Sequence, residues 1–359
     1  MSLKRLLFSD IHFHTWAYGA TPTHDGMNSR LAAQYAAAQE MVKYASEHNI
    51  KYAYFLGDLF HTHGQIPTQA LWCATQMFRA LRDNGTYVRS LFGNHDMSNR
   101  TGGRYSAISF IRHYNDENPG KPGSPRFFKS GTDNQEFAWW DDLRVMGLSY
   151  TDNEDTLKRF FDEVHNVKEK VMVLLHQGVA GVPLSSGFLL DERLTPAMIP
   201  DNAMAFTGHY HFHRRVSPNL TVVGNLAALN WNDIDQTKGW VVFDDETGEI
   251  EQIPQTKAPE FRLAGRDNLE CGSAFIRYSD AASSKEQDEI RTILSKNGAL
   301  TVEFVGDTEE EGAAKAFKAA SGEETTLAHL LQVYEEEMEP RRKEVGIEIR
   351  EERYESPSI

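Results

Sequence analysis

Five short motifs in the sequence place aspartate, histidine or asparagine at the end of a predicted strand, where side chains can converge. Carboxylate oxygens, amide oxygens and imidazole nitrogens are common ligands of divalent metal ions, and together these motifs can hold two ions. Such a site suits hydrolysis of a phosphate ester, because two ions can activate water and stabilise both the attacking and the leaving oxygen. The motifs are Asp10-Ile11-His12, Gly57-Asp58-Leu59-Phe60-His61, Gly93-Asn94-His95-Asp96, His176-Gln177-Gly178 and Gly208-His209-Tyr210-His211.

The residue types in these motifs offer different things to an ion. Asp58 has two carboxylate oxygens and can bridge two ions, whereas Asn94 offers an amide oxygen that adds no charge. The histidines supply neutral imidazole nitrogens, which suit manganese, iron or zinc. Asp10 and His12 stand two residues apart on the continuation of a strand and can face one ion. One motif alone would mean little, but five in this order indicate a metal centre.

The amino-terminal part of the chain alternates strands and helices in a way that brings the first three motifs together. Strands are predicted at residues 3–9, 52–56 and 87–92, and helices at 31–48 and from 67 to about 83. This β-α-β-α-β order predicts a parallel sheet with right-handed crossovers. Ligands of such sheets bind at the carboxyl ends of the strands, which is where these motifs stand.

The middle of the chain is less regular and indicates a second sheet. A hairpin is predicted to turn at Asp141-Asp142, and two apolar strands deliver His176 and His209. Three later strands suggest the second sheet, so the predicted fold class is α/β, a two-layer β-sandwich flanked by helices. The hairpin strands are predicted at 137–140 and 143–148, the apolar strands at 171–175 and 203–207, and the later strands at 220–223, 240–243 and 250–253.

A small β-α-β capping domain is predicted after the sandwich. The stretch 253–260 contains two prolines and marks a boundary, and residues 273–278, 284–296 and 300–305 are predicted as strand, helix and strand. From Gly306 the sequence becomes acidic and rich in alanine and glycine, as is typical of a flexible linker. A helix at 327–339 is amphipathic and either docks on a partner or covers the chain's own surface. The predicted domains are therefore 1–255, 260–306 and 307–359.

Charge and composition restrict the possible partners. The 359 residues carry a net charge of −15, which argues against a simple basic DNA binder. Residues 301–359 contain 16 acidic and 7 basic residues, so most of the excess lies in the tail. Two divalent ions would add about +4 beside the substrate. A phosphate-bearing substrate is therefore compatible with the charge, with weak intrinsic affinity for nucleic acid or help from a partner.

Cysteine use and hydropathy bear on location. The two cysteines, Cys73 and Cys271, are far apart in the sequence, so neither a disulfide framework nor a cysteine metal site is predicted, which fits a reducing cytosol. Cys73 is expected to be a core residue of a helix. No apolar run approaches the roughly 18 residues of a membrane span. The protein is therefore expected in the cytoplasm, without a membrane partner.

In their order and spacing, the five motifs resemble those of the calcineurin-like metallophosphoesterases over roughly residues 3–215. Within that superfamily the chain is similar to the SbcD-type nucleases. The similarity lies in Gly-Asp-Leu-Phe-His at 57–61, in Gly-Asn-His-Asp at 93–96 and in the small β-α-β domain after the catalytic one. It implies a metal-dependent DNA exonuclease and endonuclease with two divalent ions, Mn²⁺ in the first place and Mg²⁺ as the alternative.

The same resemblance implies partners and a setting. The substrate would be double-stranded DNA ends or single-stranded DNA, and the capping domain would contribute to DNA binding. The partner would be an SbcC-like coiled-coil ATPase, which the tail would contact, in a complex for DNA repair and recombination. A homodimer is compatible with the resemblance. The cytoplasm would be that of a bacterial cell or a phage-infected host.

Roles for individual residues follow from the resemblance as well. His95 would contact the scissile phosphate and assist leaving-group protonation, and His61 would assist exonuclease action on the strand. Asp96 would orient His95 through a hydrogen bond. The implied metal ligands are Asp10, His12, Asp58 and His211 for one ion, and Asp58, Asn94, His176 and His209 for the other.

Two other functions stay open from the sequence. One is a phosphatase or cyclic-nucleotide phosphodiesterase of the same superfamily, and the other is a non-catalytic scaffold that binds a partner ATPase. Several histidines and tryptophans could have a structural role instead of a functional one. His14, His24, His63 and His213 are expected at the surface or behind the ligands, and Trp139, Trp140 and Trp231 in packing rather than in base stacking.

Overall fold

Two six-stranded sheets packed face to face and a smaller three-stranded sheet make up the protein, as seen in a computed structural model. The structure describes residues 3–63, 65–97, 144–183, 189 and 192–305, and the backbone of 126–127 and 138–140. The described helices are α1 (Ser29–Glu47), α2 (Thr68–Asp83), α3 (Glu154–Asn166) and α4 (Ser284–Lys296).

The first sheet contains the predicted parallel core. Its neighbouring strands run in the order β12-β11-β1-β2-β3-β4, of which β1 to β4 are parallel. Strand β11 is antiparallel to β1, and β12 is antiparallel to β11. These strands are β1 (Lys4–Phe8), β2 (Tyr52–Phe55), β3 (Tyr87–Ser90), β4 (Arg126–Phe127), β11 (Gly239–Asp244) and β12 (Ile250–Pro254).

The second sheet has the order β5-β6-β7-β8-β10-β9. Its centre is again parallel, and the predicted hairpin forms its first edge through the antiparallel pair β5 and β6. The turn of that hairpin, 141–143, lies outside the described residues. The strands are β5 (Ala138–Trp140), β6 (Val145–Leu148), β7 (Val171–Leu175), β8 (Ala203–Thr207), β9 (Arg214–Ser217) and β10 (Leu220–Val222).

The placement of the last two sandwich strands corrects the sequence prediction. Of the three later strands assigned to the second sheet, only β10 lies there, whereas β11 and β12 return to the first sheet beside β1. All six residues of β11 are buried, so its apolar run does not indicate which of the two sheets it joins. The pairing with β1 is a long-range choice that local sequence does not encode.

The sandwich is closed by three apolar layers, which confirms the predicted fold class. Between the sheets lie side chains of both, such as Leu7, Tyr54 and Phe206. Helices α1 and α2 cover the outer face of the first sheet, and α3 covers that of the second. The side chain of Asn28 caps α1 by accepting from the N–H of Leu31, and α2 starts directly after Pro67. Cys73 is buried in this core, as expected.

The third sheet contains the predicted strand, helix and strand, with one strand more. It consists of β13 (Glu260–Ala264), β14 (Ala274–Tyr278) and β15 (Thr301–Phe304), all parallel, with α4 packed beside β15. Trp231 packs edge-on against Phe261, with ring centroids 4.9 Å apart, so it serves packing as expected. The domain limits stay predictions, and 307–359, with the helix at 327–339, lies outside the described residues. Among the described helices, none has both the length and the apolar character that crossing a membrane requires.

Candidate metal centre

The five motifs meet at the carboxyl ends of the parallel strands, on loops whose backbone is unusual. Asp10, His12, Asp58 and His209 all have positive φ, of 50°, 49°, 59° and 81°. Non-glycine residues rarely adopt this left-handed conformation, and where they do, surrounding structure must hold them there. The loops after β1 and β2 hold one another, since the N–H groups of Asp10 and His12 donate to the carbonyls of Gly57 and Asp58. The site is thus built by backbone turns that aim side chains inward.

Glycine is required at two of these turns. Gly57 has φ of +101°, and a Cβ there would lie 2.4 Å from the backbone nitrogen of Gly93. A Cβ on Gly93 would lie 2.1 Å from Oδ1 of Asp58. The second and third motifs therefore touch without room for a side chain between them, and this contact sets the distance between Asp58 and Asn94.

The structure brings all seven predicted metal ligands together. One group, called the first half here, consists of Asp10, His12 and His211, whose ligand atoms lie within 4.8 Å of one another. Nε2 of His12 is 3.9 Å from Oδ1 of Asp10 and 3.6 Å from Oδ2 of Asp58. These atoms converge from three loops, as a bound cation requires.

The second half consists of Asn94, His176 and His209. Oδ1 of Asn94 lies 3.2 Å from Nε2 of His176 and 3.0 Å from Nδ1 of His209. Nε2 of His176 is also 3.4 Å from Oδ2 of Asp58. This Asp58 oxygen therefore faces one histidine of each half, which is the position that a bridging ligand needs.

Burial and the charges of neighbouring groups together set the protonation of these residues. Burial raises the pKa of Asp10, and the charge of Asp58 adds to the effect. Burial also acts to raise the pKa of Asp58, but His176, His12 and His95 outweigh it and lower that pKa below its ordinary value. Burial lowers the pKa of His12, so its ring is neutral. Burial acts to lower the pKa of His176 too, yet Asp58 and Asp10 raise it to about 9.

The residues present fit a pair of divalent ions. Asp10 and Asp58 are 0 % and 2 % exposed, and two buried carboxylates this close are costly unless positive charge compensates them. Within the described part of the chain, Oδ1 of Asp10 and both ring nitrogens of His12 are buried without a hydrogen-bond partner. A mixed set of oxygen and imidazole ligands suits manganese, iron or zinc. Bound ions would satisfy Oδ1 of Asp10 and one ring nitrogen of His12, and would compensate the buried charge.

Two further predicted residues, His61 and His95, lie beside the first half. Ligand atoms of His12, His61 and His95 lie within 4.8 Å of one another. Nδ1 of His95 is 2.7 Å from the carbonyl oxygen of His61 and therefore carries the proton there. The N–H of His95 also donates to Oδ1 of Asp58 at 2.8 Å. His95 is thus tied both to His61 and to the predicted bridging ligand.

The prediction that Asp96 orients His95 through a hydrogen bond is wrong. Oδ2 of Asp96 accepts from the N–H groups of Asp58 and Gly93 at 2.7 and 2.9 Å, and Oδ1 accepts from the N–H of Leu59 at 2.9 Å. Asp96 is fully buried beneath these turns, where backbone donors lacking strand partners need an acceptor. Burial and the charge of Asp58 raise the pKa of Asp96 to about 7, against the opposing effect of the three donors.

Aromatic residues surround the two histidines. Burial, His95 and His14 lower the pKa of His61 to about 4, which leaves its ring neutral near pH 7. Trp16 lies against His61 with ring centroids 4.7 Å apart, and His14 lies 5.3 Å from His61. The exposed ring of His63 stacks on His95 at 4.7 Å. These rings form one wall of the site.

Two features of the site were missed from the sequence. Glu192 lies 3.5 Å from Nε2 of His209, although its local sequence, Asp-Glu-Arg, is that of an ordinary surface loop. Lys238 is buried, and its ammonium group donates to Oδ1 of Asp233 and to the carbonyl oxygen of His211. No local pattern marks either residue, because both reach the site through tertiary packing.

A cavity of about 710 Å³ opens at the other edge of the sandwich, where the parallel strands begin. Three basic residues, Arg5, Arg144 and Lys170, line it together with three acidic ones, Asp201, Asp245 and Glu246, so its formal charges cancel. None of the five motifs contributes to its lining. The chemistry of the chain is therefore assigned to the carboxyl edge.

Comparison with known proteins agrees with the geometry. The sequence matches the family described as calcineurin-like phosphoesterase over residues 3–213, a span that includes all five motifs and more than half of the chain. No curated protein sequence matches the chain. Among solved structures, a dimetal phosphatase from Danio rerio aligns with 67% of this chain and 91% of its own, at 8% identity and a TM-score of 0.37. The chain belongs to the calcineurin-like phosphoesterases, a family of hydrolases that use two metal ions.

Proposed function

We propose that this protein is a Mn²⁺-dependent DNA nuclease, the exonuclease and endonuclease subunit of an SbcCD-like complex for repair and recombination. The observation that carries the proposal is the placement of His61 and His95 beside a centre of seven converging ligands. This arrangement supplies two imidazoles for a phosphodiester in addition to the metal ligands. Mg²⁺ is the alternative ion, and the cytoplasm is the proposed location.

The protein's own residues would divide the work between them. When bound, the two ions supply Lewis-acid stabilisation and lower the pKa of water. His95 holds the proton of Nδ1 against the His61 carbonyl. When the ring carries a second proton, on Nε2, that nitrogen can give it to the leaving oxygen, and the ring returns to its neutral form. His61, neutral near pH 7, orients the phosphate by hydrogen bonding without adding charge.

The position of the third sheet favours a polymeric substrate over a small phosphomonoester. The loop that carries Trp16 against His61 also carries Tyr18, whose hydroxyl lies 2.9 Å from Oγ1 of Thr301 in β15. One short loop therefore borders both the catalytic imidazoles and the small sheet. A DNA strand that leaves the metal centre past His61 would meet this loop, and the small sheet could extend the contact between protein and DNA.

Digestion of end-labelled double-stranded DNA tests the proposal directly. The protein is incubated with Mn²⁺ and either labelled DNA or bis-p-nitrophenyl phosphate, and each reaction is repeated with EDTA. We expect metal-dependent shortening of the DNA from its ends. Hydrolysis of the small diester with intact DNA would instead favour a phosphatase or cyclic-nucleotide phosphodiesterase, and no hydrolysis of either would favour a scaffold.

The proposed partner is a coiled-coil ATPase, bound through the apolar side of the segment 327–339. Deletion of residues 325–359 should leave Mn²⁺-dependent cleavage of short DNA nearly intact. The same deletion should abolish co-purification with an SbcC-like ATPase and any ATP-stimulated cleavage, because an amphipathic helix binds by laying its apolar face into a groove. Unchanged affinity for the ATPase would assign that contact to another surface, and unfolding would make the tail part of the fold.

A further inference from the structure

Glu192 is fixed beside the fourth motif by backbone pairing. Leu194 forms a parallel bridge with Val179, and the N–H of Ala180 donates to the carbonyl of Leu194 at 2.8 Å. Both Val179 and Leu194 are buried. The carboxylate of Glu192 therefore stands two residues before a buried anchor, and its position is determined by the fold.

The glycine of the fourth motif makes room for this carboxylate. A Cβ on Gly178 would lie 2.1 to 2.5 Å from the carboxylate atoms of Glu192. The φ angle of Gly178 is not in the left-handed region, so backbone conformation does not demand glycine here. The close approach of Glu192 does, and this contact accounts for a motif residue that the predicted ligand set leaves unexplained.

The carboxylate reaches a ligand of the second half from behind. Nδ1 of His209 faces Oδ1 of Asn94 at 3.0 Å, and Nε2, the other ring nitrogen, lies 3.5 Å from Oε1 of Glu192. If Nδ1 binds an ion, Nε2 must carry the proton, and an acceptor on that side fixes both the tautomer and the ring plane. The side chains of His209 and Glu192 are only 17 % and 18 % exposed, so solvent competes weakly.

We propose that Glu192 is a positioning residue of the metal centre, which holds His209 with Nδ1 toward the ion of the second half. The inference rests on the proposed function only in that this half holds a metal ion. A carboxylate behind a ligating imidazole also raises its basicity. With Asp10 and Asp58 it brings a third negative charge to a centre that would hold about +4.

Metal titration without substrate tests this role separately from nuclease activity. Metal-free protein is titrated with Mn²⁺ by calorimetry as wild type, Glu192→Ala, Glu192→Gln and, as the matched control from the same loop, Arg193→Ala. We expect two ions in each case. Glu192→Ala should weaken one of them about 10- to 100-fold, the usual effect of removing a partner behind a ligand. Glu192→Gln should weaken it less, because its amide oxygen still accepts a hydrogen bond.

A spectroscopic readout separates positioning from general damage. In ¹⁵N-histidine-labelled protein saturated with Mg²⁺, His209, assigned through His209→Gln, should show a single tautomer protonated at Nε2. Glu192→Ala should give a mixture of tautomers, and Gly178→Ala, which displaces the carboxylate, should do the same. Equal Mn²⁺ affinities in Glu192→Ala and Arg193→Ala, or an unchanged tautomer, would overturn the inference. Loss of one ion from both Glu192 variants would make Glu192 a ligand and overturn it as well.

Discussion

In the second half of the candidate metal centre, each histidine ring has an acceptor oxygen near the nitrogen that points away from Asn94. The imidazole of His12, in the first half, lacks such an acceptor among the described residues. Nδ1 of His176 donates to the carbonyl of Leu56 at 2.5 Å, and Nε2 of His209 lies near Glu192. In the first half both nitrogens of His12 are buried without a hydrogen-bond partner among the described residues. For His211 the carboxylate is more distant, with Nδ1 4.0 Å from Oδ1 of Asp233.

Because of this difference, the orientation of the histidine rings depends on a bound ion to different degrees in the two halves. Ligands whose rings are already oriented lose little freedom on binding an ion, and their affinity is correspondingly higher. His12 has no such partner among the described residues, so the ion itself must orient its ring, which lowers the affinity of the first half. We therefore infer that the second half binds its ion more tightly and that the first half holds the more exchangeable ion.

Substitution of the shared ligand should have the largest effect, because it affects both halves. Asp58→Asn keeps a residue that tolerates the left-handed backbone at φ 59° but removes the charge and one ligand oxygen. We expect both ions to bind more than about a hundredfold more weakly, since even partners behind the ligands cost 10- to 100-fold. Mn²⁺ titration and DNA cleavage on one preparation measure this. Weakening of one ion alone would rule out a bridging role for Asp58.

Removal of the proposed proton donor should leave both halves intact. His95→Ala is expected to lower the cleavage rate about 100- to 1000-fold, the usual cost of losing a transition-state donor, while two ions still bind. The control is His63→Ala, which removes the exposed ring stacked on His95 and should change the rate much less. Loss of an ion together with activity would show that His95 is a ligand.

Much of the fold was accessible from sequence because its signals are local. Apolar runs, helix starts such as Pro67 and the β-α-β order all act within a few residues. The return of β11 and β12 to the first sheet was not accessible from sequence, because a fully buried strand such as β11 carries no local signal for one sheet over the other. Strand β13 was missed because it begins directly after Pro259, in a stretch that was interpreted as a domain boundary on account of its two prolines.

The residues of the site likewise fall into those marked by local sequence and those brought in by long-range contacts. Its proposed ligands stand in contiguous motifs at strand ends, so the sequence alone is enough to assign them to one edge of a sheet. Glu192 and Lys238 arrive through tertiary contacts of loops. Asp96 illustrates a subtler limit, because its place in the third motif is evident from the sequence, whereas its three backbone donors belong to turns whose geometry the sequence does not specify.

Single-ligand substitutions compare the two halves directly. His12→Asn, which suits the left-handed backbone there, and His176→Asn should each lower the affinity for one ion. The loss should exceed the roughly 10- to 100-fold that is typical of removing a partner behind a ligand. We expect His12→Asn to leave the tighter ion in place and His176→Asn to leave the weaker one. Calorimetric Mn²⁺ titration distinguishes them by the affinity that remains. If both variants retain an ion of equal affinity, the inferred difference between the halves is absent.

Asp96→Asn should have the smallest effect on catalysis and a clear one on stability. The carboxylate accepts from three buried N–H groups, and an amide must turn its own donor toward one of them. Leaving a buried N–H without an acceptor costs about 1–3 kcal/mol, so the unfolding free energy should fall by about that amount in urea titrations. Exposed Asp162 on α3 provides the control, as Asp162→Asn should change stability by less than about 0.5 kcal/mol. The three donors lie on the turns of Asp58 and Gly93, and Gly93 directly precedes Asn94, a ligand of the second half. Loss of one of these hydrogen bonds should therefore lower the affinity for the second-half ion more than that for the first-half ion. Equal stability of the two variants would show that Asp96 does not support these turns.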